Sequence, residues 1–323
     1  MDVIGIGSLT VDIFTDSKFY ITEYPHKKYV MFPLGKKRNG KVYIHTGGSS
    51  GNTISYLSKL GLKTGYFTKL GKDPLSDFLI KDLRRYGVNT NHIVRNGRLE
   101  AGRSLILISK MTKDTALIID HGAASFLSKS DVKKNKKFLL SSKWVDISSF
   151  TSEKSIEAVE EIFRMRKNIF FTPSRTMISK FKKKVKKLIN KSTLCAFNME
   201  EFEALFGKFN DRNVKKLKTN CFITRGSMGI SYFDHESGAL YSSNGFKVSD
   251  VKNTTGAGDC AAAWFLYGTI KKWNAEKILK YASAAGAIHV QSKYIGAKNG
   301  NPTEDEILDF TKGKRFKVKK KIV

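Results

Sequence analysis

A turn of small residues running into an apolar helix carries the sharpest chemistry in this chain. It reads Asn253-Thr254-Thr255-Gly256-Ala257-Gly258-Asp259 and continues as Cys260-Ala261-Ala262-Ala263-Trp264-Phe265-Leu266. The first amides of a helix lack intrahelical partners and sit at the positive end of its dipole, so Gly256, Ala257 and Gly258 are candidates to receive a phosphate. A carboxylate in the same place needs its own explanation. Asp is a good helix cap, and it is also a residue type that takes a proton from an attacking hydroxyl beside a bound phosphate. The segment alone leaves both readings open.

A second acid, Asp12, lies in the apolar stretch Val11-Asp12-Ile13, just after the strand-like Val3-Ile4-Gly5-Ile6-Gly7. A second small-residue turn, Gly47-Gly48-Ser49-Ser50-Gly51-Asn52-Thr53, leads into a helical pattern from Asn52 to Leu60 that Gly61 ends. Arg103 and His121 fall where a substrate region is expected, although a lone Arg or His is more often structural.

Strands and helices must alternate to place these groups. After Asn52–Leu60 come a strand at Thr64–Phe67, a helix from Leu75 to Tyr86, and two strands, Ser104–Ile108 and Thr115–Ile119, joined by a turn from Lys110 to Asp114. Then follow Trp144–Ile147, a helix Ser155–Met165, Ile169–Phe171, a basic helix over 176–190 and Thr193–Phe197. That order predicts βαβ units on a mainly parallel sheet. Residues 19–46, with Pro25, Pro33 and the basic turn Lys36-Lys37-Arg38-Asn39-Gly40, read as a β excursion. In the basic helix Ile178, Phe181, Val185 and Leu188 keep helical spacing, so its lysines read as a solvated face.

With 323 residues, 41% hydrophobic and 27% charged, the chain folds around a sizeable core. Lys plus Arg number 58 against 29 Asp plus Glu, a net charge of +29. This suits phosphate handling but confers no specificity, so no specific nucleic-acid partner is assigned. Cys195, Cys221 and Cys260 lie far apart without Cys-x-x-Cys spacing, which predicts reduced thiols and no zinc site. Met1 to Phe14 has neither the basic nor the apolar region of a signal peptide, and no membrane span is read; a cytoplasmic location is expected. The end from Lys312, with Lys314, Arg315, Lys317, Lys319, Lys320 and Lys321, reads as a frayed basic tail.

Gly256-Ala257-Gly258-Asp259 with its Thr-Thr prefix resembles the carboxy-terminal signature of the ribokinase-like, or pfkB, carbohydrate kinases. Gly47-Gly48-Ser49-Ser50-Gly51-Asn52 is similar to that family's amino-terminal Gly-Gly-x-x-x-Asn segment. The resemblance covers roughly residues 1–310. It implies a three-layer α/β/α sandwich over residues 1–312, with a small β lid from about 13–46 and 97–120, ahead of the basic tail 313–323. It further implies transfer of the γ-phosphate of ATP to a hydroxyl of a sugar or nucleoside, with Asp259 as base and Gly256, Ala257 and Gly258 as anion hole. Asp12, Gly47, Gly48 and Asn52 would hold the acceptor.

Asn198-Met199-Glu200-Glu201 is similar to the family's Asn-x-x-Glu motif, which places Asn198 at the phosphates and Glu201 at Mg²⁺. Thr224-Arg225-Gly226-Ser227-Met228-Gly229 resembles its nucleotide loop, and Ser283 to Ala287 the helix beside the adenine; these give Thr224, Gly226, Gly229 and Ser283 as donor contacts. Members of the family often dimerise through the lid. Asn253 stands where the family usually carries Asp, and an amide holds K⁺ less strongly, which weakens the case for monovalent-cation activation. The stretch Val290 to Gly296 is also slightly longer than the family's common form. A sugar phosphate as acceptor and ADP as donor remain alternatives. A dinucleotide-binding reading of Gly5-Ile6-Gly7 lacks its third glycine, since position 10 is Thr10.

Overall fold

The computed structural model describes residues 1–17, 20–24, 27–31, 41–109, 115–252, 254–292 and 300–323. The expectations for Asn253, for the basic turn Lys36 to Gly40, for the turn Lys110 to Asp114 and for most of Val290 to Gly296 fall outside these residues.

Side chains alternate across a strand, and here both faces are covered. In β1 (Val3–Ile6), Val3 enters one apolar cluster while Ile4 and Ile6 enter a second; in β12 (Ile169–Thr172), Phe170 joins the first and Ile169 and Phe171 the second. β1 pairs in parallel with β6 (Thr64–Phe67) and β11 (Trp144–Ser148), and the parallel run continues through β12, β13 (Leu194–Asn198) and β14 (Asn220–Thr224). Antiparallel β15 (Ile230–Asp234), β16 (Ala239–Ser243) and β17 (Lys319–Ile322) complete a nine-stranded sheet.

Against one face pack α1 (Ser49–Lys59), α2 (Pro74–Arg85), α9 (Ala257–Ile270), α10 (Ala275–Gln291) and α11 (Glu304–Thr311). Against the other pack α3 (Lys129–Lys134), α4 (Lys136–Leu140), α5 (Glu153–Met165), α6 (Arg175–Ile189), α7 (Met199–Phe206) and α8 (Asp211–Val214). The result is the three-layer α/β/α sandwich expected. α9 is apolar all round because it is covered all round: Cys260 to Gly268 are buried between α1, α10 and the sheet. Ile178, Val185 and Leu188 of α6 pack inward, as their spacing predicts. No helix among the described residues is long and apolar enough to cross a membrane.

A second sheet, in the order β10-β9-β2-β5, is built from β2 (Thr10–Ser17), β5 (Lys41–Gly47), β9 (Gly102–Ser109) and β10 (Thr115–Asp120). Two smaller pairs, β3 (Tyr20–Tyr24) with β4 (Lys27–Met31) and β7 (Lys69–Gly71) with β8 (Val94–Asn96), complete the strands among the described residues. Register in the four-stranded sheet aligns His45, Asp12, Ser104 and Ile119 in one cross-strand row, and Ile44, Ile13, Leu105 and Ile118 in the next. One-residue alternation puts these rows on opposite faces. The first lines a cavity; in the second, Ile44 and Ile118 are 57% and 66% exposed.

Two expectations are corrected. The carboxyl end is not frayed: Lys319–Ile322 pairs with β16, Phe316 stacks on Phe246 at 4.9 Å, and Val318 and Val323 pack on the core. Its apolar residues anchor it while its lysines face out. Nor are all three cysteines separate: parallel register sets Cys195 of β13 beside Cys221 of β14, Cα atoms 4.9 Å apart, while Cys260 is buried apart from them in α9. Sheet register joins this pair, so sequence spacing gave no sign of it.

Candidate active site

The positive φ of Gly256, +82°, turns the chain into α9, and Asp259 falls in the helix's first turn. Its N-cap, Gly256, has no side chain to offer, and the Asp259 carboxylate reaches to a neighbouring element. Its Oδ1 accepts from the Ser49 hydroxyl and its Oδ2 from Asn52 Nδ2 at 2.8 Å. Both donors lie in the first turn of α1, three residues apart and therefore on one helix face. Burial raises the pKa of Asp259, while the Asn52 and Ser49 hydrogen bonds pull it back. Ala257 N–H already donates to the Thr254 carbonyl at 3.2 Å, whereas Gly258 is exposed with open space above it.

The Gly-Gly turn serves close approach. Gly48, at φ +105°, begins α1, and a Cβ there would lie 2.2 Å from the Ser8 carbonyl oxygen. A Cβ on Gly47 would lie 2.0 Å from Asp12 Oδ2, so the bare backbone is what lets that carboxylate lie across the turn. Asp12 Oδ1 accepts from Thr10 Oγ1 at 2.7 Å and from Ser104 Oγ at 2.6 Å. Asn52, read as an acceptor-holding residue, spends its amide nitrogen on Asp259, while its buried Oδ1 has no partner among the described residues.

Two cavities meet at Asp259. One, of about 280 Å³, is lined by Asp12, Phe14, His45, Gly48, Asn52, Ser104, Ile106 and His121, among others. The other, of about 210 Å³, is lined by Asn198, Glu201, Thr224 and Gly258 with the carboxyl ends of β12, β13 and β14. Ser49, Ser149, Ser174 and Asp259 line both. The crevice at strand carboxyl ends is where open α/β sheets bind ligands.

Asn198 and Glu201 form a reciprocal capping box on α7: Glu201 N–H donates to Asn198 Oδ1 at 2.8 Å, and Asn198 N–H to Glu201 Oε2 at 2.9 Å. Burial pushes the Glu201 carboxyl up to about 7, with the Asn198 amide opposing and the Asp259 charge adding. A desolvated carboxylate beside a phosphate-sized space suits a cation. The described residues offer no group of three or more His, Cys, Asp or Glu that would hold a metal alone; Mg²⁺ is commonly held by one or two carboxylates together with substrate phosphates.

Gly226, Gly229 and Ser283 line neither cavity. Gly229 and Ser283 do converge on Gly245, whose added Cβ would lie 3.2 and 3.1 Å from them. Arg103 pairs with Glu100 and Asp120 outside both cavities. Sequence reasoning missed Ser49, Ser104, Ser149 and Asp146. The last is fully buried in β11, accepts from Ser50 Oγ at 2.7 Å and is pushed by burial up to about 7. Ser49 was within reach, since it precedes Asn52 by three residues.

The pfkB family carbohydrate kinase model matches residues 13–304. The chain belongs to the pfkB family. It is 28% identical to a 5-dehydro-2-deoxygluconokinase of Bacillus subtilis, covering 95% of this chain and 94% of that protein. It is 24% identical to a ribokinase of Haemophilus influenzae, covering 85% and 90%. A protein of E. coli assigned as a ribokinase II and solved with ATP and Mg²⁺ superposes with a TM-score of 0.79 at 20% identity, covering 96% of this chain and 99% of that one. The pfkB chain described here is thus a sugar kinase of ribokinase-like fold.

Proposed function

We propose that this pfkB kinase transfers the γ-phosphate of ATP to a hydroxyl of an unphosphorylated sugar, with Asp259 as general base. The observation that carries this is the meeting of the two cavities at Asp259, whose carboxylate is fixed by Ser49 and Asn52. The acceptor hydroxyl gives its proton to Asp259 as its oxygen bonds the γ-phosphorus; the bond from that phosphorus to the bridging oxygen breaks, leaving ADP. Amides at the start of α9, Gly258 above all, face the charge on the transferred phosphoryl. Asp12 holds acceptor hydroxyls, and Gly47 and Gly48 let them approach. Asn198 and Glu201 would hold Mg²⁺, which when bound neutralises charge on the nucleotide phosphates. The described lining of the larger cavity contains no Lys or Arg, which favours an unphosphorylated acceptor over a sugar phosphate. The exposed apolar row Ile44, Leu105, Ile118 supports a homodimer joined lid to lid.

Asp259→Asn tests the assignment. Turnover should fall by about 10² or more while circular dichroism and thermal unfolding stay close to wild type. A folded variant with near wild-type turnover refutes the role of Asp259.

A further inference from the structure

The acceptor cavity contains a side chain to which the phosphotransfer reading gives no task. His45 of β5 is the register partner of Asp12 and lines the cavity beside it. Its Nε2 is shielded from solvent and has no hydrogen-bond partner among the described residues. The neighbouring donors are committed: Thr10 and Ser104 give their hydroxyl hydrogens to Asp12, Thr46 gives its own to Asp82, and the Asn52 amide nitrogen serves Asp259. The imidazole is held in place by Phe14, which meets it edge-on with centroids 5.8 Å apart and planes at 69°. Burial lowers the His45 pKa, against the pull of Asp12 and Asp82, and so favours the neutral ring. A neutral imidazole offers one N–H and one bare nitrogen. Leaving such a group shielded and unpaired is costly, and a ligand that pairs it recovers that cost.

The placement is selective. In the next outward row of the same face, Phe14, Ile106 and Leu117 are apolar while Tyr43 takes the β5 position outside the cavity lining, and in the His45 row itself Ile119 closes the far end. His45 therefore stands at the polar end of a wall that is otherwise largely apolar away from Asp12.

We infer that His45 is a specificity-determining residue of the acceptor site, its imidazole hydrogen-bonding to an uncharged oxygen, hydroxyl or carbonyl, adjacent to the hydroxyl that Asp12 accepts from. The inference rests on the phosphotransfer reading of the cavity. It makes the acceptor a polyhydroxylated molecule with oxygens on neighbouring carbons at this end, and it makes loss of one of them the change this kinase discriminates against.

The test assays wild type, His45→Phe and His45→Gln with ATP against D-ribose, D-fructose, D-gluconate, fructose 6-phosphate and adenosine. The best acceptor is then compared with its monodeoxy analogues. In His45→Phe the acceptor KM should rise about tenfold, the worth of one hydrogen bond, with kcat and the KM for ATP little changed. The wild-type preference over one monodeoxy analogue should collapse, and His45→Gln should restore part of it, which a purely structural residue would not show. If kcat falls while the acceptor KM holds, or if every analogue keeps its wild-type ranking in both variants, the inference is overturned. A wild-type preference for D-gluconate that His45→Phe abolishes overturns the uncharged-oxygen assignment. Should folded wild-type protein turn over none of the acceptors, the phosphotransfer reading itself fails, visibly before any variant is compared, and the role of His45 falls with it.

Discussion

Replacing Ser49 by Ala removes the hydroxyl that donates to Asp259 Oδ1 and leaves Asn52 on Oδ2. Burial holds the Asp259 carboxyl above its ordinary range, and these two hydrogen bonds restrain that rise. A hydrogen bond to a charged group contributes about 1.5–3 kcal/mol, and one pKa unit corresponds to about 1.4 kcal/mol. The Asp259 pKa in Ser49→Ala should therefore rise by roughly one to two units. The sign follows from which form is bonded: the hydroxyl stabilises the carboxylate, so its loss favours the acid. Since the base works only when ionised, the acid limb of kcat/KM should move to higher pH by that amount, with much of the rate recovered on the plateau. The assay is a pH–rate profile between about pH 5 and 9 with ATP and the best acceptor. Glu201, pushed up to about 7, titrates in the same window, so Glu201→Gln is run alone and with Ser49→Ala to remove its contribution. An acid limb that stays in place in Ser49→Ala, or moves down, refutes the claim that this hydroxyl tunes Asp259.

Gly47→Ala would put a methyl 2.0 Å from Asp12 Oδ2 and push that carboxylate off the turn. The KM for the acceptor should rise about tenfold or more with the KM for ATP nearly unchanged, and equal changes in both would show that the turn supports the whole site instead. Ile44→Lys combined with Ile118→Lys charges the outward row of the lid; light scattering should then report monomers where wild type is dimeric. An oligomeric state identical in both proteins counts against lid pairing.

The sequence was most legible where local chemistry and position coincide. The Gly-Ala-Gly-Asp turn shows its small residues and its acid together, and the apolar run after it announces a helix buried on every side. The Gly-Gly turn was legible for the same reason. What stayed hidden depends on long-range register. Ser104 reaches Asp12 across 92 residues because β9 pairs in parallel with β2, and no local pattern encodes that pairing. Asp146 reads as one polar letter in an apolar strand, and only the packing of α1 over β11 gives it Ser50. For Asn198 and Glu201 the sequence suggested ligand contacts, and the structure adds a capping box that any helix start can use. The carboxyl end was misread because its charges outnumber its anchors, although Phe316 and Val318 already had the two-residue spacing of a strand.

That last strand gives part of the +29 charge a duty unrelated to any ligand. Among the described residues β17 ends the nine-stranded sheet and has a strand on one side only, so its outer backbone groups are open to pairing. Lys319, Lys320 and Lys321 stand exposed along that edge, with Lys321 tied to Asp211 and Lys320 lying over the Tyr241 ring. A second copy approaching edge to edge would bring the same cations against them. The lysines thus act as gatekeepers of solubility, keeping a wide sheet from growing into its neighbours.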